Sequence, residues 1–379
     1  MPQDTPDQAT PQTAPHITPH VTPHVTDHGG GVRGIKVPIP DNPLGHTLVY
    51  VLDTDRGPVL VDTGWDDPQS WDTLVAGLGA LGIAVADVHG VVITHHHPDH
   101  HGLSGRVREA SGAWIAMHAA DTEVVVRTRS AEPGVWFDYM SGKLAAAGAP
   151  EEHIAPLRAA RAGSRTLPHG LRHGRGPHLP GLRAAVPDRE IVPGELLPLA
   201  GRRLRAVWTP GHTPGHVCLH LEEQHPANLP GNGRLFSGDH LLPGISPHIG
   251  LYEAPDENGV TRVTDPLGDY LDSLERIGRL DPAEVLPAHQ HAFTDAPARV
   301  GELLRHHEER LTGLRELLAE PLTPWGMAER MEWNRPWEQI PYGSRNIAVS
   351  EAEAHVRRLV KQGRAEAVPG SDPVTYRAL

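Results

Sequence analysis

Thr94-His95-His96-His97-Pro98-Asp99-His100-His101-Gly102 sets three imidazoles and a carboxylate at the spacing H-x-H-x-D-H. The run before it, Val88-His89-Gly90-Val91-Val92-Ile93, is apolar and β-branched, so the cluster is expected on a tight loop at the carboxyl end of a strand. In extended backbone, side chains two apart share a face, which lets His95 and His97 grip one ion together. Pro98 fixes φ and turns the chain, so that Asp99 and His100 can face a second ion close by. Mixed imidazole and carboxylate donors suit zinc, iron or manganese, and the lack of thiolates argues against a closed structural zinc site. A solvated His-rich loop would need no further ligands downstream, whereas here they follow in order.

Thr209-Pro210-Gly211-His212-Thr213-Pro214-Gly215-His216 comes after a strand-like Leu204 to Trp208 and offers His216 at the mouth of the next strand. Phe236-Ser237-Gly238-Asp239 ends an apolar run in an acid placed to bridge two cations, and Leu286-Pro287-Ala288-His289 ends a third run in an imidazole. Each reads as a short strand delivering one ligand at its end, the way a rigid sheet pre-organises a site. Upstream, Val59-Leu60-Val61-Asp62 closes on a carboxylate able to orient a ligating histidine from behind.

These segments together resemble the five ordered motifs of the metallo-beta-lactamase-fold hydrolases, over roughly residues 32 to 310. The resemblance implies a mixed α/β fold, a four-layer αββα sandwich. It implies one metal on His95, His97 and His216 and another on Asp99, His100 and His289, with Asp239 bridging them and Asp62 in support. The two divalent ions would be zinc, with iron or manganese as alternatives. No cysteine stands at a motif position, which resembles the dinuclear branch of glyoxalase II, lactonases, thioesterases and nucleases. The implied reaction is attack by a metal-bridging hydroxide on a small carbonyl substrate, with Asp99 and Asp239 holding the hydroxide or passing its proton. A thioester is favoured over a lactone. An endoribonuclease or other nuclease is the first alternative, and a mononuclear iron oxygenase on the same fold the second.

Other polar residues near the motifs have plainer readings. His96 and His101 alternate with ligands and are expected behind them or in solvent. His212 is either a support behind the metal or structural, and His240 is structural. His248 and Tyr252, in the loop after the bridging acid, are candidate substrate contacts. Cys218, the single cysteine, lies on the apolar run Val217 to Leu221 and reads as a core thiol.

With 379 residues, 38% of them hydrophobic, the chain can hold one catalytic domain and a smaller second one. One cysteine excludes a disulfide framework. The opening Met1-Pro2-Gln3-Asp4 has neither a basic nor an apolar leader region, and no apolar run reaches the roughly 18 residues of a membrane span, so a cytoplasmic protein without membrane partners is expected. A net charge of −13 repels phosphate backbones, so a small-molecule substrate is favoured over nucleic acid. Oligomeric state leaves no trace in the sequence.

Residues 1–31, with the repeat Thr18-Pro19-His20-Val21, Thr22-Pro23-His24-Val25, read as a disordered low-complexity tail. Residues 32–310 read as the catalytic domain. Within it, Leu144 to Arg161 is expected to include helix. The stretch from Gly163 to Pro187, dense in Gly, Pro and Arg and carrying His169, His173 and His178 as surface residues, reads as a segment covering the substrate. After a helix from Ala296 to Leu318, residues 311–379 read as a small C-terminal winged-helix domain. Thr323-Pro324 opens one helix, the capping-box sequence Ser350-Glu351-Ala352-Glu353 opens another that ends at Gly363, and Ala365 to Val368 with Val374 to Ala378 forms the wing. That module resembles the C-terminal part of the beta-lactamase-like protein 2 branch of the superfamily, as do Ser237-Gly238-Asp239-His240-Leu241-Leu242 and Asp265-Pro266-Leu267-Gly268-Asp269-Tyr270. Its arginines and acids balance, unlike a helix that binds a nucleic-acid groove.

Overall fold

The short apolar runs that end in the candidate ligands do form strands, and they fall into two facing sheets. A computed structural model of the chain describes residues 22–130, 134–161, 183–252, 254–255, 261–262 and 264–379. The first sheet holds β1 (Val25–Asp27), β2 (Val32–Pro38), β3 (His46–Leu52), β4 (Val59–Val61), β5 (Gly90–Val92), β6 (Trp114–His118) and β7 (Arg189–Ile191), side by side in chain order. From β1 to β4 neighbours are antiparallel, and from β4 to β7 they are parallel. The second sheet is built from β8 (Leu204–Trp208), β9 (Val217–Leu221), β10 (Arg234–Gly238) and, after a short hairpin of β11 (Ala254–Pro255) and β12 (Thr261–Arg262), β13 (Glu284–Pro287). Its order is β13-β10-β9-β8, with β10 and β13 parallel.

Period-two alternation decides which side of each strand meets which layer. Tyr50, Leu52, Val61, Leu219, Phe236 and Leu286 fill the space between the sheets. Their neighbours Val49, Val51 and Leu60 face outward and pack with Leu74, Leu78 and Val107 of helices α1 (Pro68–Ala80) and α3 (Ser104–Ser111). Cys218, Leu235 and Val285 face the other way and pack under the helices that cover the second sheet. The result is the helix-sheet-sheet-helix stack expected from the sequence. Tyr50, 2% exposed, ties the two sheets by donating its hydroxyl to the Pro287 carbonyl at 2.8 Å. The short α2 (Pro98–His101) and α4 (Ala119–Ser130) sit at the ends of β5 and β6.

The outer layer on the second sheet comprises α5 (Val135–Ala146), α6 (Glu151–Arg161), α7 (Pro266–Leu280), α8 (Ala296–Leu317), α9 (Pro324–Arg330) and α10 (Tyr342–Lys361). Asp265 caps α7 through Gly268 N–H, Asp295 caps α8 through Ala298 N–H and Thr323 caps α9 through Gly326 N–H, each with proline at the start of the helix. After α10 come β14 (Ala365–Ala367) and β15 (Tyr376–Ala378), an antiparallel pair. Leu144, Leu157, Tyr270, Leu303, Trp325 and Leu359 belong to one apolar cluster. The C-terminal helices therefore share their core with α5 to α8. No helix among the described residues is long and apolar enough to cross a membrane.

Two sequence expectations are corrected. The tail expected over residues 1–31 does not extend that far, because Val25–Asp27 pairs with Arg33–Ile35 and Lys36 N–H donates to the His24 carbonyl at 3.0 Å. The free edge of β2 supplies ladder partners that local composition does not reveal. Residues 1–21 lie outside the described residues, as do residues 163–182 of the expected covering segment Gly163 to Pro187, with His169, His173 and His178. Ser350 does not open a helix either. It lies in the middle of α10, which starts at Tyr342, and its hydroxyl accepts the Leu251 N–H at 2.9 Å. The apparent capping box is a tertiary bond to the loop after β10, and the buried Ala348 and Val349 carry the helix further back.

Candidate metal centre

The loops at the strand ends meet at one edge of the sandwich. Asp62 follows β4, the His95–His101 run follows β5, His212 lies in the β8–β9 connection, Asp239 follows β10 and His289 follows β13. Backbone bonds lock these loops together: Val217 N–H donates to the Thr94 carbonyl at 2.9 Å, Thr63 N–H to the His100 carbonyl at 2.7 Å, and Ala288 N–H to the Gly238 carbonyl at 3.0 Å. Gly238 adopts φ +52, and a Cβ there would lie 2.7 Å from His216 Nε2. Only glycine permits this approach of the bridging-acid loop to its neighbours.

The donor atoms form two trios joined by one carboxylate. His97 Nδ1 lies 3.0 Å from His95 Nε2 and 3.0 Å from His212 Nε2. Asp99 Oδ2 lies 3.5 Å from His100 Nε2 and 3.4 Å from His289 Nε2. Asp239 stands between them: Oδ1 is 3.4 Å from His100 Nε2 and 3.2 Å from His289 Nε2, while Oδ2 is 3.5 Å from His212 Nε2. His95–His97–His212, His95–His100–Asp239 and Asp99–His100–His289 are each close enough to share one cation. The residues fit metal on a further ground. His100 Nε2, His289 Nε2 and Asp239 Oδ1 are buried without any hydrogen-bond partner, which is costly unless something else satisfies them.

Histidines 212 and 216 exchange their expected places. His216 Nε2 accepts the Asp239 N–H at 3.2 Å and its Nδ1 is held by Thr209 Oγ1 at 2.8 Å, so neither nitrogen is left to point at the trios. His212 donates Nδ1–H to the His248 carbonyl at 2.7 Å, leaving the Nε2 lone pair facing His97 and Asp239. The motif carries two histidines four apart in a loop rich in Gly and Pro, and neither helical nor strand periodicity says which one turns inward. The turn at Gly211, φ +137 against Tyr270 of α7, makes that choice.

The remaining nitrogens of the site are tied from behind. His100 donates Nδ1–H to Asp62 Oδ2 at 2.8 Å, and Asp62 also accepts the Thr94 N–H at 2.8 Å and the Thr94 hydroxyl at 2.9 Å. His289 donates Nδ1–H to the His46 carbonyl at 2.8 Å. A second brace escaped the sequence reading altogether. Asp121, fully buried in the first turn of α4, accepts the His96 N–H at 2.8 Å, the Thr213 hydroxyl at 2.8 Å and the Gly215 N–H at 2.7 Å. It thus joins the loop of His95 and His97 to the loop of His212. In sequence it resembles any acid at a helix start, and no spacing connects it with the motifs.

Electrostatics differ across the site. Burial holds His95 and His97 well below the ordinary histidine range, with neighbouring imidazoles adding to the effect, so both are neutral ligands in waiting. Burial also pulls on His100 and His289, but Asp239 and Asp99 beside them win: His100 is held well above the ordinary range and His289 is pushed up to about 10. Asp239 is held well below the carboxylate range against the pull of burial, chiefly by His289 and His100. A buried nest of anions that raises the basicity of its imidazoles is a place for a cation.

Among the other candidates, His96 packs beside Asp121, and His101 Nε2 is 2.8 Å from the Ala185 carbonyl. His240 is buried edge-on to Tyr270. Cys218 is fully buried, its thiol pushed up to about 12 by desolvation. Tyr252 donates its hydroxyl to Asp269 on α7 at 2.6 Å, away from the two trios. His248 stays beside them through its carbonyl, while its ring Nδ1 lies 3.5 Å from Glu351 of α10.

Residues 42–289 match the model of the metallo-beta-lactamase superfamily. The "Probable metallo-hydrolase YqjP" of Bacillus subtilis is 27% identical over 312 residues, 79% of this chain and 84% of that one. The crystal structure of a metallo-beta-lactamase family protein from Thermus thermophilus is 30% identical, with a TM-score of 0.68 over 92% of this chain and 99% of the other. The atrochrysone carboxyl ACP thioesterase of Aspergillus chevalieri is 31% identical over 150 residues, 37% of this chain and 41% of that enzyme.

Proposed function

The chain belongs to the metallo-beta-lactamase superfamily and is a metallo-hydrolase, and we propose that it is a dinuclear enzyme that cleaves small carbonyl substrates, thioesters before lactones. The observation that carries this reading is the position of Asp239, with one oxygen toward His100 and His289 and the other toward His212. A mononuclear site would have no use for a carboxylate reaching both trios. In this reading His95, His97 and His212 would hold one divalent ion and Asp99, His100 and His289 the other, with Asp239 available to both groups. The donors are those that zinc accepts, and iron or manganese take the same set. Bound there, two such ions would supply Lewis acidity toward a scissile carbonyl and acidify a water molecule.

The chain's own residues do the rest. Asp62 and the His46 carbonyl fix the tautomers of His100 and His289, so that Nε2 of each ring carries the lone pair. Asp99 and Asp239, the carboxylates set among the site's imidazoles, are the groups able to accept a proton from the attacking water and return it to a leaving thiolate. The thioester preference is supported by the Aspergillus thioesterase, which this chain matches over less than half of that enzyme's length. Residues 311–379, which the sequence likens to a winged helix, are read as a wall of the substrate site, since their charges balance.

Metal content of the purified protein, measured together with hydrolysis of lactoyl-glutathione, an acyl-CoA, an acyl-homoserine lactone and single-stranded RNA, tests the proposal. Two equivalents of transition metal and turnover of a thioester are expected. One equivalent, or cleavage of the RNA alone, would replace this reading with another.

A further inference from the structure

Between α5 and α10 runs a slot of about 130 Å³ that His248, from the loop after β10, helps to line. Met140 and Leu144 of α5 form one wall, Ile347 and Val349 of α10 form the other, and His248 and Leu251 of the loop after β10 close the inner end. The slot and the metal centre share one residue, because His248, which lines the slot, also orients His212 through its carbonyl. Around the slot the surface is unusually apolar: Trp136 and Tyr139 on α5 and Ile347 on α10 are 39%, 47% and 44% exposed. Large side chains left in water next to a cavity mark a surface that binds something apolar. The charged groups in the lining are not equivalent. Glu353 is paired with Arg357 at 2.7 Å, whereas the Lys143 ammonium lies over the Tyr139 ring, 5.2 Å from its centroid.

We propose that this slot is the acyl-binding site: it takes an unbranched apolar chain of short to medium length, while Lys143 faces an anion carried by the same substrate. The proposal rests on the carbonyl-hydrolase reading above and narrows it to anionic acyl thioesters. The volume, on the order of four waters' worth of space, suits a few methylene groups and leaves no room for a folded peptide or a nucleobase stack. Chain and anion are separable. The chain is recognised by burial, worth roughly 0.8 kcal/mol for each methylene, and the anion by a single ammonium whose attraction weakens with salt.

The test uses the metal-loaded protein and two thioester series from acetyl to decanoyl, one on coenzyme A and one on the neutral thiol N-acetylcysteamine. For the wild type, kcat/KM should climb at least tenfold from acetyl to octanoyl, and the coenzyme A series should lie above the neutral one. Ile347→Glu should flatten the climb in both series. Lys143→Glu should remove the gap between the series and leave the climb. Val360→Glu, an added acid at a 39% exposed position further along α10, is the control for folding and charge. Equal rates for acetyl and octanoyl in the wild type, or an undiminished climb in Ile347→Glu, would overturn the proposal. Calorimetric binding of sodium octanoate keeps the two readings apart. If no thioester is cleaved but octanoate binds the wild type at least tenfold more tightly than Ile347→Glu, the functional reading fails and the slot stands. If octanoate binds both equally or neither, the slot falls.

Discussion

Among the described residues, histidines gather at the loop edge of the sandwich and again between α8 and α10. In the first, His95, His97 and His212 turn nitrogens toward a shared point and His100 and His289 turn theirs toward Asp99 and Asp239. In the second, His307 Nδ1 lies 3.2 Å from His355 Nε2, and His355 Nδ1–H is donated to the Glu351 carbonyl at 2.8 Å. His95, His100, His289, His307 and His355 are buried like apolar core residues, while His97 is half-buried. The first converges on shared carboxylates, while in the second the rings bond to each other and to a backbone carbonyl, and the nearby Glu351 carboxylate is engaged by Arg310 and His248. Convergence with anions, and not the number of histidines, is what separates a metal centre from a polar patch in a core.

Removing metal should act on one group alone. At metal about a thousandfold above its dissociation constant, binding adds roughly 4 kcal/mol to stability, so chelation should lower the unfolding free energy by about that amount. Hydrogen exchange should quicken in the loops after β5 and β10 and stay unchanged in α8 and α10. Equal quickening in both places would erase the distinction. His212→Ala, which takes one imidazole from the converging group, should lower affinity for one metal equivalent at least about 100-fold, beyond what loss of an outer hydrogen-bond partner costs. His216→Ala should cost less, because both His216 nitrogens are taken up by the Asp239 N–H and Thr209 Oγ1. The reverse order, read by competition with a coloured chelator, would restore the sequence-based assignment.

Asp121→Asn tests whether the brace matters. A carboxamide at Asp121 keeps the volume but must turn an N–H toward donors in the His96 and Thr213–Gly215 segments. Affinity at the His95, His97 and His212 position should fall roughly 10- to 100-fold, and cobalt substituted there should change its visible absorption while the second equivalent keeps its spectrum. Loss at both positions alike would make Asp121 a general support of the fold.

Strand-end ligands were legible because the chemistry is local. His95, His97, Asp99, His100, Asp239 and His289 each sit where an apolar run stops, and the structure brings them within reach of one another. The same logic recovered Asp62, which ends β4. It failed at His212 and His216, where a φ +137 glycine and contact with α7 decide the direction. It failed at Asp121, whose three partners come from two loops, one of them about ninety positions away along the chain. The facing sheets follow from alternation in β3, β4, β9 and β10, whereas the shared core of α5 to α10 depends on long-range packing that no single helix announces.

The smallest effect concerns acid. Burial lowers His307 to about 3, with His355 adding to it, and burial lowers His355 to about 4. Both are therefore neutral when folded and take up protons near pH 6.5 once unfolded. Their contribution to stability is complete above pH 6.5 and is lost as pH falls toward 4, by up to roughly 1.4 kcal/mol per pH unit for each ring. In the metal centre the neighbouring carboxylates drive His100 and His289 the opposite way, while His95 and His97 share the lowered direction, so the part due to the pair between α8 and α10 is read from variants of that pair. The double substitution His307→Leu with His355→Leu should flatten the denaturant-derived stability between pH 6.5 and 4.5 relative to the wild type, with metal content equal in both proteins at each pH. If the two profiles run parallel, the rings are not neutral in the folded state, and the contrast between converging and self-paired histidines loses its electrostatic half.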